Sequence, residues 1–369
     1  MKILVVNWRD IKNPLAGGAE VYFQEIFKRI ASNGHSVHLL CVKFPDAPET
    51  EIIDNIQVRR VGSANTFNFA VYRQLKDIVE QENYDIVIDD LNKIPFFSPW
   101  NIKKPVLVMM MHLFRGSIFK EVFFPFGAYV YLSESLIPLC YKNQLFVALS
   151  ESSKKDLLKF GIEAQRIVVV PPGTDTVKFH PDFNKKGEKL IVHVGRLKKY
   201  KSADHLIMAA KLLTEKGKKF KVMILGDGDD VPRLKELNTK LGLEDIVEFT
   251  GFVPESEKVL IYQKAAILVE NSVKEGWGLI VMEANACGTP VVSSRVPGLV
   301  DSVLENKTGF FYEYGNTEEL AQKIERLLDD EALRNEMGKN GIEWANQLTW
   351  DKTAGMMMGT IEKIIQKKL

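Results

Sequence analysis

Short apolar runs, each followed by a stretch of helical periodicity, recur from one end of this chain to the other. Residues 2–6, 36–42, 105–111, 145–149, 189–194, 220–225 and 266–269 are such runs. A continuous apolar run of this length reads as a strand covered on both faces. Parallel neighbours of that kind need a crossover connection, usually a helix. The pattern therefore requires an α/β architecture, with mostly parallel sheets carrying helices on both faces. It also occurs twice. The first series ends at Pro171-Pro172-Gly173-Thr174-Asp175, and the segment from there to 189 is polar and irregular, with Pro181, Asn184 and Gly187. A second series starts afresh at 189. Because 369 residues exceed what one core ordinarily organises, two domains are expected, 1–175 and 176–350.

Composition narrows the function classes. A formal charge of +1 gives no electrostatic footprint for nucleic acid. Cys41, Cys140 and Cys287 lack metal-ligand or CxxC spacing and each sits in an apolar setting, so buried free thiols are expected. The six histidines are scattered, which gives little support to a metal cluster. The N-terminus reads as a first strand rather than a signal peptide, and no apolar run has the length of a membrane span. The expectation is a cytoplasmic enzyme or binding protein.

In open α/β sheets ligands gather at the C-terminal ends of strands. Several chemistry-bearing residues fall there. Gly17 and Gly18 stand where the first loop enters a helix expected over 21–33, a place that suits an anion or a close-lying substrate. Asp89 and Asp90 end a strand expected over 84–89; Asp90 either binds hydroxyls of a substrate or caps the following turn. His112 follows the run 105–111 and either lines a site or shapes its loop. Ser152 reads as a helix cap rather than a nucleophile. The segment 118–141 is rich in aromatic residues and poor in charge. Core packing as a helix-loop-helix is the favoured reading; the other is a partly exposed surface, centred on 119–132, for a lipid-linked substrate, a membrane or a partner. In the second series Arg196, Lys201, the turn Gly226–Gly228, Gly251–Phe252 and the residues 275–280 occupy strand ends. Arg196 and Lys201 could hold a diphosphate, the first as a fork and the second as a point charge; the alternative is a pair of solvated cations.

The most informative stretch is Val273-Lys274-Glu275-Gly276-Trp277-Gly278-Leu279-Ile280-Val281-Met282-Glu283-Ala284-Asn285-Ala286-Cys287-Gly288-Thr289-Pro290-Val291-Val292. It reads as loop, helix, tight turn and buried strand. A helix beginning near Gly278 presents unpaired backbone N–H groups, which suit a phosphate. Glu275 lies before that start and Glu283 one turn inside it. They are either solvated residues or acceptors for the hydroxyls of one polar ligand. Glycosyl transfer from a nucleotide sugar needs little more than this set: cations and amides for the leaving diphosphate, and carboxylates that orient sugar and ribose hydroxyls.

The paired glutamates, eight apart in Glu-Gly-Trp-Gly-Leu…Met-Glu-Ala-Asn-Ala-Cys-Gly-Thr-Pro-Val-Val, resemble the signature of retaining glycosyltransferase family 4, the glycosyl transferases group 1. The resemblance extends over essentially the whole chain through Gly17-Gly18-Ala19-Glu20, Ser150-Glu151-Ser152, Pro172-Gly173-Thr174-Asp175, Gly195-Arg196-Leu197, Gly226-Asp227-Gly228 and Gly251-Phe252. It implies a GT-B fold, α/β, with two Rossmann-like doubly wound domains facing across a cleft and a C-terminal helix, 351–369, crossing back to the first. It implies that Arg196 and Lys201 bind the donor diphosphate, that Glu275 contacts the donor sugar and that Glu283 binds the ribose. Gly278, Leu279 and Ile280 would help hold the distal phosphate and sugar. Gly17 and Gly18 would approach the phosphate or acceptor, and His112 would sit against the sugar. The implied activity is a hexosyltransferase using a nucleoside-diphosphate sugar and a hydroxyl acceptor, with retention, a front-face mechanism and no metal or other cofactor. A nucleotide-sugar-binding protein, or a related synthase or epimerase, is the alternative. Ser202 departs from the family, which usually carries glycine there, and Trp277 replaces the commoner phenylalanine.

Overall fold

The computed structural model describes residues 1–91, 94–111, 113, 115–120, 123–185 and 189–367. The chain forms two compact units. One comprises Met1–Pro172 together with the segment from Trp350 onward, and the other Gly173–Thr349.

The first unit contains an eight-stranded sheet. Its strands are β1 (Lys2–Val6), β2 (Ser36–Val42), β3 (Thr50–Ile53), β4 (Ile56–Val61), β5 (Ile86–Leu91), β6 (Val106–Met110), β7 (Leu145–Ala148) and β8 (Ile167–Val169). They lie in the order β3-β4-β2-β1-β5-β6-β7-β8. All pairs are parallel except β3–β4, an antiparallel hairpin on the edge. The sequence reading did not include β3. Its four residues carry alternating exposure, and they are too few for a clear period. The crossover helices include α1 (Gly18–Ser32), α2 (Phe67–Glu82), α3 (Ser98–Asn101), α4 (Phe124–Ser135), α5 (Ile137–Cys140) and α6 (Glu151–Lys159). Strands buried on both faces supply the core: Val5, Ile88, Leu107 and Phe146 are fully covered. Each such side chain contributes about 1.5–3 kcal/mol on burial.

Three local expectations need correction. The helix after the first loop begins at Gly18, three residues early, because Gly17 is its N-cap and its amide donates to the Glu20 carboxylate in the first turn. The cap of α6 is Ser150, whose Oγ accepts from the Ser153 amide, and not Ser152. The segment 118–141 divides: Ile137, Cys140 and Tyr141 join the core of the first unit as expected, whereas the helix before them is largely exposed. Gly127, Val130, Ser133 and Glu134 form the buried stripe of α4, while Phe123, Phe124, Phe126 and Leu132 are exposed by 64–75%. A helix that is apolar on every face gives no periodic signal telling which face is covered.

The second unit carries β9 (Leu190–Val194), α7 (Ala203–Glu215), β10 (Lys221–Leu225), α8 (Val231–Lys240), β11 (Val247–Gly251), α9 (Glu255–Lys264), β12 (Ile267–Glu270), α10 (Leu279–Ala286), β13 (Val291–Ser294), α11 (Leu299–Ser302), β14 (Gly309–Tyr312), α12 (Thr317–Asp329) and α13 (Glu331–Gln347). Its six parallel strands run β11-β10-β9-β12-β13-β14. This is the doubly wound dinucleotide-type order, whose direction of winding reverses between β9 and β12. The corresponding reversal in the first sheet lies between β1 and β5.

The last helix, α14 (Trp350–Lys367), returns to the first unit and packs along α1. Met357, Ile361 and Ile364 are among its buried residues. The Trp350 and Tyr22 rings lie 6.2 Å apart, Thr353 Oγ1 donates to the Pro171 carbonyl at 2.9 Å, and Arg29 pairs with Asp351 at 2.6 Å.

Candidate active site

Where the winding reverses, the loops after two adjacent strands diverge to opposite faces and leave a crevice. In the second unit those loops are 195–202, after β9, and 271–278, after β12. They are tied together by the Val273 amide, which donates to the Tyr200 carbonyl at 2.9 Å.

The first loop is held by backbone packing that only glycine permits. A β-carbon on Gly226 would lie 1.8 Å from the Gly195 carbonyl oxygen, and one on Gly228 would lie 2.1 Å from that of Leu197. The Gly195 amide donates to Leu225 O and the Leu197 amide to Asp227 O, at 3.0 and 2.9 Å. The Gly226–Gly228 turn, singled out above as a candidate, thus presses its backbone against the loop that carries Arg196. Arg196 itself is exposed at this strand end. Among the described residues it forms no hydrogen bond or ion pair with Lys201.

Lys201 turns back over the loop, so that a β-carbon on Gly195 would stand 4.0 Å from Nζ. Its side chain is 14% exposed, with Nζ 2.5 Å from Glu275 Oε1 and 3.8 Å from Glu270 Oε1. Burial works against the charged ammonium, but the two carboxylates outweigh it and raise its pKa above the ordinary lysine value. Ser202, the departure from the family pattern, has φ 49°. Glycine is the residue that adopts this left-handed conformation without strain. Here the serine hydroxyl lies 2.9 Å from the Tyr314 hydroxyl and the turn is kept.

Sequence reading passed over Glu270. It ends β12, is fully buried, and accepts from the Ser272 hydroxyl and, at 3.2 Å, the Ser272 amide. Its Oε2 has no hydrogen-bond partner among the described residues. The signal that marked Arg196, a charged residue at the end of a buried strand, also marks Glu270. The shift of one residue in the expected strand end hid it. Below it Asn271 accepts from the Tyr312 hydroxyl at 3.0 Å, and the Ser272 carbonyl accepts from Ser294 Oγ at 2.6 Å.

Glu275 is half-buried, and the Ser272 hydroxyl also lies 3.0 Å from its Oε1. Its loop rests on Gly298, where φ is +86° and a β-carbon would meet the Glu275 carbonyl oxygen at 2.2 Å. Gly278, at φ 94°, is the N-cap of α10 and no side chain caps that end. Trp277 is buried beside it. The first-turn amides of Leu279 and Ile280 therefore keep their donors, with the positive end of the helix dipole behind them. Glu283, one turn on, engages a different set: Lys258 Nζ at 2.9 Å, and the Tyr262 hydroxyl, which donates to Oε2 at 3.1 Å. Lys201, Glu270 and Glu275 are brought together; Glu283 keeps its own partners on α9.

In the first unit the Gly17 amide donates to Glu20 Oε2 at 2.7 Å, so that donor is already used; Gly18 is exposed as the first residue of α1. Asp89 and Asp90 lie inside β5, which runs two residues past its expected end, and both are fully buried. Asp89 accepts from Ser98 Oγ at 2.6 Å and Tyr141 OH at 2.7 Å. Burial pushes its carboxyl up to about 6 against those two bonds. Asp90 caps no turn. Its carboxyl oxygens have no hydrogen-bond partner among the described residues, and burial, Glu20 and Asp89 hold its pKa well above the carboxylate range. His112 lies outside the described residues. All three cysteines are buried free thiols. Among the described residues no group of three or more His, Cys, Asp or Glu side chains could hold a metal, and no helix is long and apolar enough to cross a membrane.

Comparison with known proteins identifies the family and the fold. Residues 16–178 match the Glycosyltransferase Family 4 model and residues 175–344 the Glycosyl transferases group 1 model. A D-inositol 3-phosphate glycosyltransferase of Corynebacterium aurimucosum is 33% identical over 229 residues, which are 57% of this chain and 54% of the relative. The chain thus spans about half the length of that relative. One of the same description from Thermobifida fusca is 26% identical over 92% of this chain and 86% of the relative. Sucrose-phosphate synthase from Thermosynechococcus elongatus superposes with a TM-score of 0.83 at 21% identity, covering 100% of both chains. The Anabaena protein HepE in complex with UDP-glucose superposes with a TM-score of 0.78 at 19% identity, over 98% of this chain and 100% of that one. With one family model on each half, and with the two doubly wound units and returning helix shared with these structures, the chain belongs to the family 4, group 1 glycosyltransferases and has their GT-B fold.

Proposed function

We propose that this glycosyltransferase moves a hexose-type sugar from a nucleoside-diphosphate sugar to a hydroxyl acceptor with retention of configuration. The observation that carries this reading is the Lys201 ammonium held between Glu270 and Glu275 at the β9/β12 reversal, in the loop pair that leads into the uncapped start of α10. Arg196, Lys201 and the amides at Gly278, Leu279 and Ile280 are the groups that would hold the donor diphosphate. Glu275 would turn from Lys201 to the sugar hydroxyls as the phosphate takes its place. Glu283 would accept from the ribose. In the first unit the family resemblance implies that Gly17, Gly18 and His112 serve phosphate, acceptor and sugar; Asp90, fully buried in β5, is left out of that set.

In the step, the C1–O bond to the distal phosphate breaks and the acceptor oxygen bonds to C1 from the same face. The acceptor proton passes to the departing phosphate oxygen, and the charge growing on that phosphate falls on the two cations and the helix amides. These groups can carry it without a metal ion or other cofactor. Product anomer determined by NMR tests retention, and turnover in the presence of a chelator tests metal independence. Glu275→Ala and Arg196→Ala are each expected to lower donor turnover at least about a hundredfold; wild-type turnover in both would refute the site. Binding of nucleotide sugars without turnover against any hydroxyl acceptor would favour the donor-binding alternative, and a product other than a glycoside would favour a synthase or epimerase.

The acceptor reading rests on a second observation. Phe123, Phe124 and Phe126 are exposed by 66–75% on one short segment, and Tyr129 links it to Asn68 of α2, whose neighbouring Phe69 and Tyr72 are also exposed. Contiguous apolar surface beyond a few hundred Å² marks an interaction site. Peripheral contact with the inner face of a membrane, with a lipid-linked acceptor delivered there, fits this surface. Co-sedimentation with phosphatidylglycerol vesicles is expected for the native protein and lost in Phe123→Ser/Phe126→Ser; equal partitioning of both into the supernatant would leave a soluble glycan or sugar as the acceptor.

A further inference from the structure

Lys201 has more negative charge around it than its position requires. Glu275 already pairs with it at 2.5 Å and, being half-buried, can leave for another ligand. Glu270 adds a second carboxylate at 3.8 Å, and this one cannot leave: it is fully buried at the end of β12 and fixed by Ser272. One ammonium cannot neutralise two carboxylates. Glu270 also leaves one oxygen without a hydrogen-bond partner among the described residues, which a group serving only stability would avoid. The strand gains nothing from it, since Ile267, Leu268 and Val269 beside it are fully buried apolar residues.

We propose that Glu270 is a positioning residue for the donor diphosphate, acting through Lys201; this rests on the donor-site reading above. Its fixed charge is fully buried beside the ammonium, whereas Glu275 on the same ammonium is partly exposed. When Glu275 turns to the sugar, Glu270 keeps Lys201 charged and in place. The same charge repels the diphosphate, and in a site shielded from water that repulsion is felt across several ångströms. Lys201 then binds the donor firmly enough to orient it and loosely enough to release the nucleoside diphosphate once the sugar has gone. A single counterion that moved away would leave the full lysine charge on the product.

The test is calorimetric titration of UDP, GDP and ADP, each alone, into the native protein, Glu270→Gln and Glu270→Asp. Neutralising Glu270 is expected to tighten the nucleoside diphosphate about tenfold, and to lower KM for the donor and kcat together. Glu270→Asp keeps the charge and is expected to stay within about threefold of the native protein. Damage to the loop would do the reverse, weakening binding in both variants. If Glu270→Gln binds the product equally or more weakly while melting within a few degrees of the native protein, the inference is overturned. Glu270→Met removes the same charge and serves if Glu270→Gln does not fold. If the native protein binds none of the three nucleotides, it is the donor-site reading that fails.

Discussion

Replacing Lys201 by methionine keeps most of the side chain's volume and removes its charge. The consequence follows from what remains. Glu270 has no exposure and Glu275 has 19%, and the cation that stood 3.8 and 2.5 Å from them is gone. Breaking a buried pair from one side costs about 3–5 kcal/mol, because the surviving charge is left without compensation. Two survivors put this site at the upper end of that range. The assay is urea unfolding of the native protein and Lys201→Met at pH 7, followed by tryptophan fluorescence, to which Trp277, buried close by in sequence, contributes. The expected result is a fall of about 4 kcal/mol, and recovery of at least half of the loss when Glu270→Gln is added. A loss below about 1 kcal/mol, or no recovery in the double variant, would refute the claim that these three side chains form one buried charge cluster.

Asp89 gives a pH signature in the first unit. Its carboxyl is raised to about 6 against an unfolded value of ~3.9, so the stability it contributes is complete below pH ~4 and disappears as pH rises through 6. The difference amounts to roughly 3 kcal/mol, and Asp89→Asn should flatten the fall in stability between pH 4 and 6 relative to the native protein; an unchanged slope would contradict it. Gly298→Ala puts a β-carbon 2.2 Å from the Glu275 carbonyl at a positive φ. It should displace that loop and lower donor kcat/KM by about tenfold or more while the helix content by circular dichroism is kept; native kinetics would show that the loop position is unimportant. Burial pushes the Cys140 thiol up to about 12 and raises Cys41 further above its ordinary value. Neither thiol should react with a disulfide reagent at pH 8 until the protein is unfolded, which a native-state thiol titration checks directly.

Much of this protein was readable from the order of its residues. Both-face-buried strands such as β1, β6 and β14 are fixed by uninterrupted apolar runs, and their alternation with helices leaves few ways to build a sheet. The positions of Arg196, Lys201, Glu275 and Gly278 in the loops after β9 and β12 and at the start of α10 were legible because strand ends and helix starts are visible locally, and because glycine marks where backbone must turn or approach closely. What the sequence could not decide was which groups face one another. The 3.8 Å between Lys201 and Glu270 joins residues 69 positions apart across the β9/β12 reversal, and no local pattern encodes that pairing. The exposure of Phe123, Phe124 and Phe126 was also a tertiary matter, since a helix apolar on all sides shows its covered face only when its neighbours are in place. Periodicity specifies elements because it is written in adjacent residues; burial and charge pairing belong to the packed chain, where strand order brings distant residues into contact.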